Sequence, residues 1–181
     1  MKFRGEPKVN RWVRACWRGK LSDTTLTVLL VTLDGVALPD PSSFEELSDH
    51  QKALWARYGS GNDPLFVRLV GLQVQEVRRD YCRLGLPFRP DLLQAGGAIH
   101  GGDLTTLLDT SCVPAVGSGF EKARPYSTIS MHVQFLAGSN GGDLVAAGWV
   151  TRRGKSIAFC EAEVATTAGK TLAKGALTLK I

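Results

Sequence analysis

Gln94-Ala95-Gly96-Gly97-Ala98-Ile99-His100-Gly101-Gly102-Asp103-Leu104-Thr105-Thr106-Leu107-Leu108-Asp109-Thr110-Ser111 runs a glycine-rich turn straight into a segment patterned as a buried helix. Gly96, Gly97, Gly101 and Gly102 let the backbone approach a ligand closely, and the helix that follows adds the positive end of its dipole. Something electron-rich is expected to bind there. Two turns on, Asp109 sits among Leu107, Leu108, Cys112 and Val113, and an acid in such company needs a partner or a purpose. Pro114 removes a helical hydrogen bond and clashes with the preceding turn, which predicts a kink or an early end just past Asp109.

Downstream, residues 127–136, 143–151, 157–166 and 171–179 read as strands separated by short turns, the pattern of antiparallel pairing. Upstream, residues 65–77 and 80–88 alternate like half-buried strands, with Arg78-Arg79-Asp80 as a hairpin tip. Ser42 and Ser43 each precede a glutamate (Glu45, Glu46) by three positions, a capping-box spacing that predicts a helix through about residue 56. Six strands and one long helix lack the crossover helices of a parallel sheet. The fold class expected is α+β, an antiparallel sheet wrapped around a long central helix.

The 181 residues, 44% hydrophobic, suit one domain with a sizeable core. The net charge of +5 is local, since residues 1–20 carry seven Lys/Arg against one Glu. That leaves 15 basic and 16 acidic groups over residues 21–181, and a near-neutral body argues against nucleic acid. Residues 1–40 are expected to be a poorly ordered basic extension and residues 41–181 the folded domain. The apolar run Leu26–Leu33 after the basic stretch is similar to a secretory signal, but no small-x-small cleavage site precedes Leu38-Pro39-Asp40-Pro41. No run of 18 apolar residues exists, so membrane insertion is not expected. Cys16, Cys82, Cys112 and Cys160 have no metal-ligand spacing and read as reduced core thiols of a cytoplasmic protein. His50 and His132 have no ligand-spaced companions, so no metal is expected.

Gln94, Gly97, His100-Gly101-Gly102 and then Asp109 nine positions after the histidine resemble the signature of hotdog-fold acyl-CoA thioesterases, and most closely the phenylacetate-degradation branch. Thr128-Ile129-Ser130-Met131-His132-Val133-Gln134-Phe135-Leu136 resembles that branch's third strand, and Arg153-Gly154-Lys155-Ser156-Ile157-Ala158-Phe159 its hairpin. The match covers roughly residues 65–181. The resemblance implies hydrolysis of an acyl-CoA to free acid and coenzyme A without a cofactor. It assigns Asp109 as general base or nucleophile and the Gly101 backbone N–H as the group that polarises the carbonyl. It further implies that Gln94 and Thr128 orient water or carbonyl, with Ser127 a one-residue alternative, and that His100 and Gly102 complete the turn. Val113 stands where Glu-using relatives carry a threonine, which favours the Asp-using branch.

Other readings stand beside these. His100 fits a structural role in the turn as readily as a chemical one, and Asp103 needs no more than the helix dipole to explain it. Arg152, Arg153 and Lys155 are either a solvated hairpin tip or a site for coenzyme A phosphates. A non-catalytic acyl-CoA-binding module is the rival class, with a dehydratase behind it. An open sheet leaves an unpaired edge, and the resemblance implies a homodimer or homotetramer with sites at the interface.

Overall fold

The computed structural model describes residues 38–55, 58, 65–122 and 124–181. The expectations for the basic segment, the signal-like run and Cys16 therefore lie outside the described residues.

The order of elements is a 3₁₀ turn Pro41–Ser43, α1 (Asp49–Trp55), α2 (Phe66–Val70), β1 (Gln73–Arg78), β2 (Tyr81–Leu86), a second 3₁₀ turn Pro90–Leu92, α3 (Gly101–Ser118), β3 (Ser127–Phe135), β4 (Leu144–Arg153), β5 (Ile157–Thr166) and β6 (Thr171–Lys180). The strands form one six-stranded sheet in the order β1-β2-β4-β5-β6-β3, and every pairing is antiparallel. The helix α3 lies across it, with Leu104, Leu107, Leu108, Cys112, Ala115 and Val116 buried in the core that the sheet closes. Burial of each such leucine stabilises by roughly 1.5–3 kcal/mol. At Gly148 of β4 the helix comes so close that a Cβ would lie 2.6 Å from Ser111 Oγ, 2.7 Å from the Ser111 backbone carbon and 2.8 Å from the Cys112 nitrogen. Only glycine allows that approach.

Three expectations change. The helix α3 does not end near Asp109 but continues through Pro114 to Ser118. Pro114 is fully buried, so tertiary packing holds the segment helical despite the lost bond to Thr110. Residues 42–48 are not helix: Asp40 accepts from the Ser42 N–H at 2.9 Å and Pro41 opens a 3₁₀ turn. The chain then runs extended, so that Phe44 stacks on Tyr81 with ring centroids 4.7 Å apart. The working capping box belongs to Ser48 and Gln51, whose side chains each accept from the other's backbone N–H. Finally, residues 66–70 form a short helix rather than a strand, closed by Gly71 at φ +86°.

Cys82, Cys112 and Cys160 are buried free thiols, and among the described residues no helix is long and apolar enough to cross a membrane.

Candidate functional site at the start of the central helix

The glycine-rich segment folds back on itself before the helix begins. His100 N–H donates to Leu92 carbonyl at 2.8 Å, Gln94 N–H to Ala98 carbonyl at 2.8 Å, and Gly97 N–H to Gln94 carbonyl at 2.8 Å. Gly97 sits at φ +80°, a conformation that a side chain would strain. The Gln94 side-chain oxygen accepts from Gly96 N–H at 2.7 Å, which pins the amide within the turn and leaves its NH₂ for other acceptors. His100 is the N-cap of α3: its Nδ1 accepts from Gly102 N–H at 2.8 Å, so the neutral ring carries its proton on Nε2.

Gly101 is the first residue of α3, and among the described residues its N–H has no acceptor. The Phe135 ring of β3 lies 3.3 Å from where a Gly101 Cβ would sit. Gln94, His100, Gly101, Leu104 and Phe135 are among the residues that line an open hollow of about 560 Å³. The turn thus delivers an unpaired backbone donor, at the positive end of a helix, to a partly apolar recess. Asp103 lies in the first turn, its carboxyl raised by burial and held back by His100 and Arg89.

Asp109 lies two turns further along the helix, half-buried, and Thr128 Oγ1 donates to its Oδ1 at 2.7 Å. Ser127, one residue earlier, is exposed and starts β3. The strand brings Thr128 to the acid because β3 runs beside α3 at the sheet edge, with Phe135 at the Gly101 end and Thr128 at the Asp109 end. Gly101 and Asp109 are eight residues apart on one helix, about 12 Å along its axis. Within one chain, therefore, the backbone donor and the carboxylate cannot converge on one carbonyl.

The basic cluster divides. Arg152 and Lys155 are exposed at the hairpin between β4 and β5. Arg153, grouped with them in the sequence as a candidate for phosphates, is instead engaged inside the fold. It pairs with Asp80, donates to Val116 carbonyl at 2.9 Å and lies over the Phe120 ring at 5.0 Å. Its guanidinium caps the C-terminal end of α3, where a cation and free carbonyls attract each other. Among the described residues no cluster of His, Cys, Asp and Glu could hold a metal ion.

Comparison with known proteins agrees with this geometry. The sequence profile of the thioesterase superfamily matches residues 96–173, the span from the glycine turn to β6. A candidate esterase of Halobacterium salinarum is 32% identical over 112 residues, which is 59% of this chain and 74% of that protein. A conserved protein of Pseudomonas aeruginosa superposes with a TM-score of 0.62 at 28% identity, covering 69% of this chain and 98% of that one. The PaaI protein from the phenylacetic acid degradation operon of E. coli superposes with a TM-score of 0.65 at 20% identity, covering 72% and 93%; at that identity the likeness shows the fold. The antiparallel sheet around one long helix is the hotdog fold, and the chain belongs to the thioesterase superfamily.

Proposed function

We propose that the protein hydrolyses acyl-CoA thioesters at two equivalent sites of a homodimer, each built from Asp109 of one subunit and Gly101 of the partner subunit. The observation that carries this reading is the separation of the two halves on α3, an oriented carboxylate near the middle and an open backbone donor about 12 Å away at the start. Two antiparallel copies of the helix bring unlike halves together. The edge strand β3 offers the joining surface, with Ile129, Phe135 and its neighbour Leu136 more than half exposed.

In this reading the thioester carbonyl oxygen accepts from the Gly101 N–H of the partner subunit, which stabilises the negative charge that builds there. Gln94 positions water or carbonyl with its amide, and His100 and Gly102 hold the turn. Asp109, oriented by Thr128, either takes a proton from the attacking water or attacks the carbonyl itself to give an anhydride that water then opens. In both cases the C–S bond breaks and coenzyme A leaves with its sulfur reprotonated. We assign Arg152 and Lys155, both exposed, to coenzyme A phosphates, and exposed Ser127 to substrate contact beside Thr128. The reading is of a cytoplasmic enzyme needing neither metal nor cofactor.

The test is thiol release from a panel of short, medium, long and aryl acyl-CoA substrates, without added metal. Turnover of at least one supports the proposal. Binding of coenzyme A derivatives with no release from any of them supports a non-catalytic acyl-CoA-binding module instead.

A further inference from the structure

Strand residues alternate between the two faces of a sheet, so of two consecutive apolar residues one is ordinarily covered. At the end of β3 neither is: Phe135 is 57% exposed and the next residue, Leu136, 54%. The backbone shows why. The N–H groups of Leu136 and Ala137 both donate to the Leu172 carbonyl, at 2.8 and 3.2 Å, a two-against-one pairing that turns the strand aside as a bulge does. The segment beyond is tied down on both sides, since Ile99 N–H donates to Ser139 carbonyl at 2.7 Å and Lys170 Nζ to Gly138 carbonyl at 2.7 Å. The departure from alternation is therefore held in place by the fold.

Both side chains line the open hollow of about 560 Å³ that also holds Gly101. Ile99 and Leu104, buried in the core, add to its apolar lining, while its polar side chains, Gln94 and His100, belong to the turn that carries Gly101. Two ring carbons of Phe135 lie 3.3 Å from where a Gly101 Cβ would stand, so the ring rests beside the residue whose N–H has no acceptor. An open donor next to uncovered hydrocarbon suits a ligand with one electron-rich atom and an apolar tail.

We propose that the acyl group of the substrate lies in this hollow against Phe135 and Leu136, which makes these two side chains specificity-determining residues. This rests on the acyl-CoA reading above, in which the carbonyl oxygen accepts from Gly101 N–H. The two substituents of that carbonyl leave it in different directions, and only one can enter the hollow. The arm of coenzyme A carries amide groups, which hydrocarbon walls would leave without partners, whereas an alkyl chain loses nothing there. Arg152 and Lys155, assigned above to the coenzyme phosphates, also stand at the other end of the sheet: Phe135 pairs with Ala173, but Ser127 and Ile157, beside the hairpin, pair with Lys180. In the proposed dimer that end accompanies the partner subunit's Asp109, so the coenzyme runs along the partner and the acyl group is left to the hollow beside Gly101. Because β3 is an edge strand, the hollow lies at the seam, where the partner subunit closes it.

The experiment compares kcat/KM for acetyl-CoA and hexanoyl-CoA in the wild type, Phe135→Ala, Phe135→Leu and Leu136→Ala, with thermal melting and light scattering on each. A hexanoyl chain can lie along the Phe135 and Leu136 side chains, and an acetyl group is too short to do so. The hexanoyl-to-acetyl ratio is expected to fall about tenfold in Phe135→Ala and about threefold in Leu136→Ala, the size of effect that lost apolar pocket contact has on selectivity. Phe135→Leu keeps an apolar side chain and is expected to stay closer to the wild-type ratio than Phe135→Ala. Folded alanine variants with the wild-type ratio overturn the proposal. It is also overturned if Phe135→Ala leaves that ratio alone and instead lowers hexanoyl-CoA against hexanoyl-N-acetylcysteamine, because the hollow would then hold the coenzyme arm. Should Phe135→Ala fail to fold or to dimerise, Leu136→Ala reads the same wall. If the wild type hydrolyses no acyl-CoA, what fails is the hydrolytic reading, and affinity for the non-hydrolysable ketone analogues of the hexanoyl and acetyl esters tests the hollow. An identical preference between those analogues in the wild type and both alanine variants overturns it.

Discussion

Thr128 Oγ1 donates to Asp109 Oδ1 at 2.7 Å, which joins the edge strand to the middle of the central helix across nineteen residues of sequence. Hydrogen bonds to a charged group contribute about 1.5–3 kcal/mol. The hydroxyl fixes one carboxylate oxygen, and in the proposed reaction the other is the one that acts. Thr128→Val is therefore expected to lower kcat by roughly 10- to 100-fold with little change in KM, and Thr128→Ser to recover most of it. Steady-state kinetics on any accepted substrate checks this, and a KM effect without a kcat effect would assign Thr128 to binding instead.

Asp109→Asn keeps the volume of the side chain and can still accept from Thr128, but it neither takes a proton nor attacks. A loss on the order of 10²- to 10⁴-fold in kcat is expected, with the circular dichroism spectrum unchanged. Activity within a few-fold of the wild type would remove Asp109 from the chemistry.

The proposed sharing of sites between subunits makes a distinctive prediction about mixtures. Gly101→Val places a side chain against the Phe135 ring and blocks the backbone donor, so it should be inactive alone. Unfolded and refolded together with Asp109→Asn, it should regain part of the activity, because one of the two sites in each hybrid dimer carries neither change. A fully active monomer by light scattering would contradict the shared site.

Gly148→Ala should destabilise the fold rather than disable the site. The added Cβ meets backbone and side chain of α3 at 2.6–2.8 Å, and such overpacking costs roughly 1–3 kcal/mol. A fall in Tm of several degrees is expected, with kcat in the remaining folded protein close to that of the wild type.

Burial raises the Cys82 thiol well above its ordinary value, and burial likewise pushes Tyr81 up to about 12. In the unfolded chain a thiol ionises near 8.5 and a phenol near 10. The unfolded state therefore loses these protons first, so stability holds below about pH 8.5 and falls as pH rises further. Tm is expected to be flat from about pH 6 to 8 and to decline from about pH 9, more steeply above 10. Cys82→Ala should remove part of the first decline.

The last four strands and the glycine-rich start of α3 were legible because their signals are local: period-two alternation, short turns, and a helix whose buried residues are adjacent in sequence. Asp109 and Thr128 could be named separately, but no local pattern shows that Thr128 rather than Ser127 reaches the acid. A bulge between Thr128 and Ser130 offsets the strand there, and bulges leave no clear trace in composition. Residues 42–48 were misread because Ser42 and Ser43 share a spacing with true capping residues, while the stacking of Phe44 on Tyr81 joins positions far apart in sequence. Pro114 was overweighted for the same kind of reason, since its cost is local and the burial that offsets it is not. Arg153 looked like its neighbours Arg152 and Lys155 until the fold set Asp80 and the end of α3 beside it.

The Arg153 guanidinium gives the central helix an electrical asymmetry. Its far end, where the dipole is negative, is met by one cation that also pairs with Asp80 of the β1–β2 turn and donates to the helix's own Val116 carbonyl. Its near end, where the dipole is positive, begins in a hydrogen-bonded glycine turn and keeps one open backbone donor. The negative end is thus answered within the chain, while the first donor of the positive end is left for an acceptor from outside it.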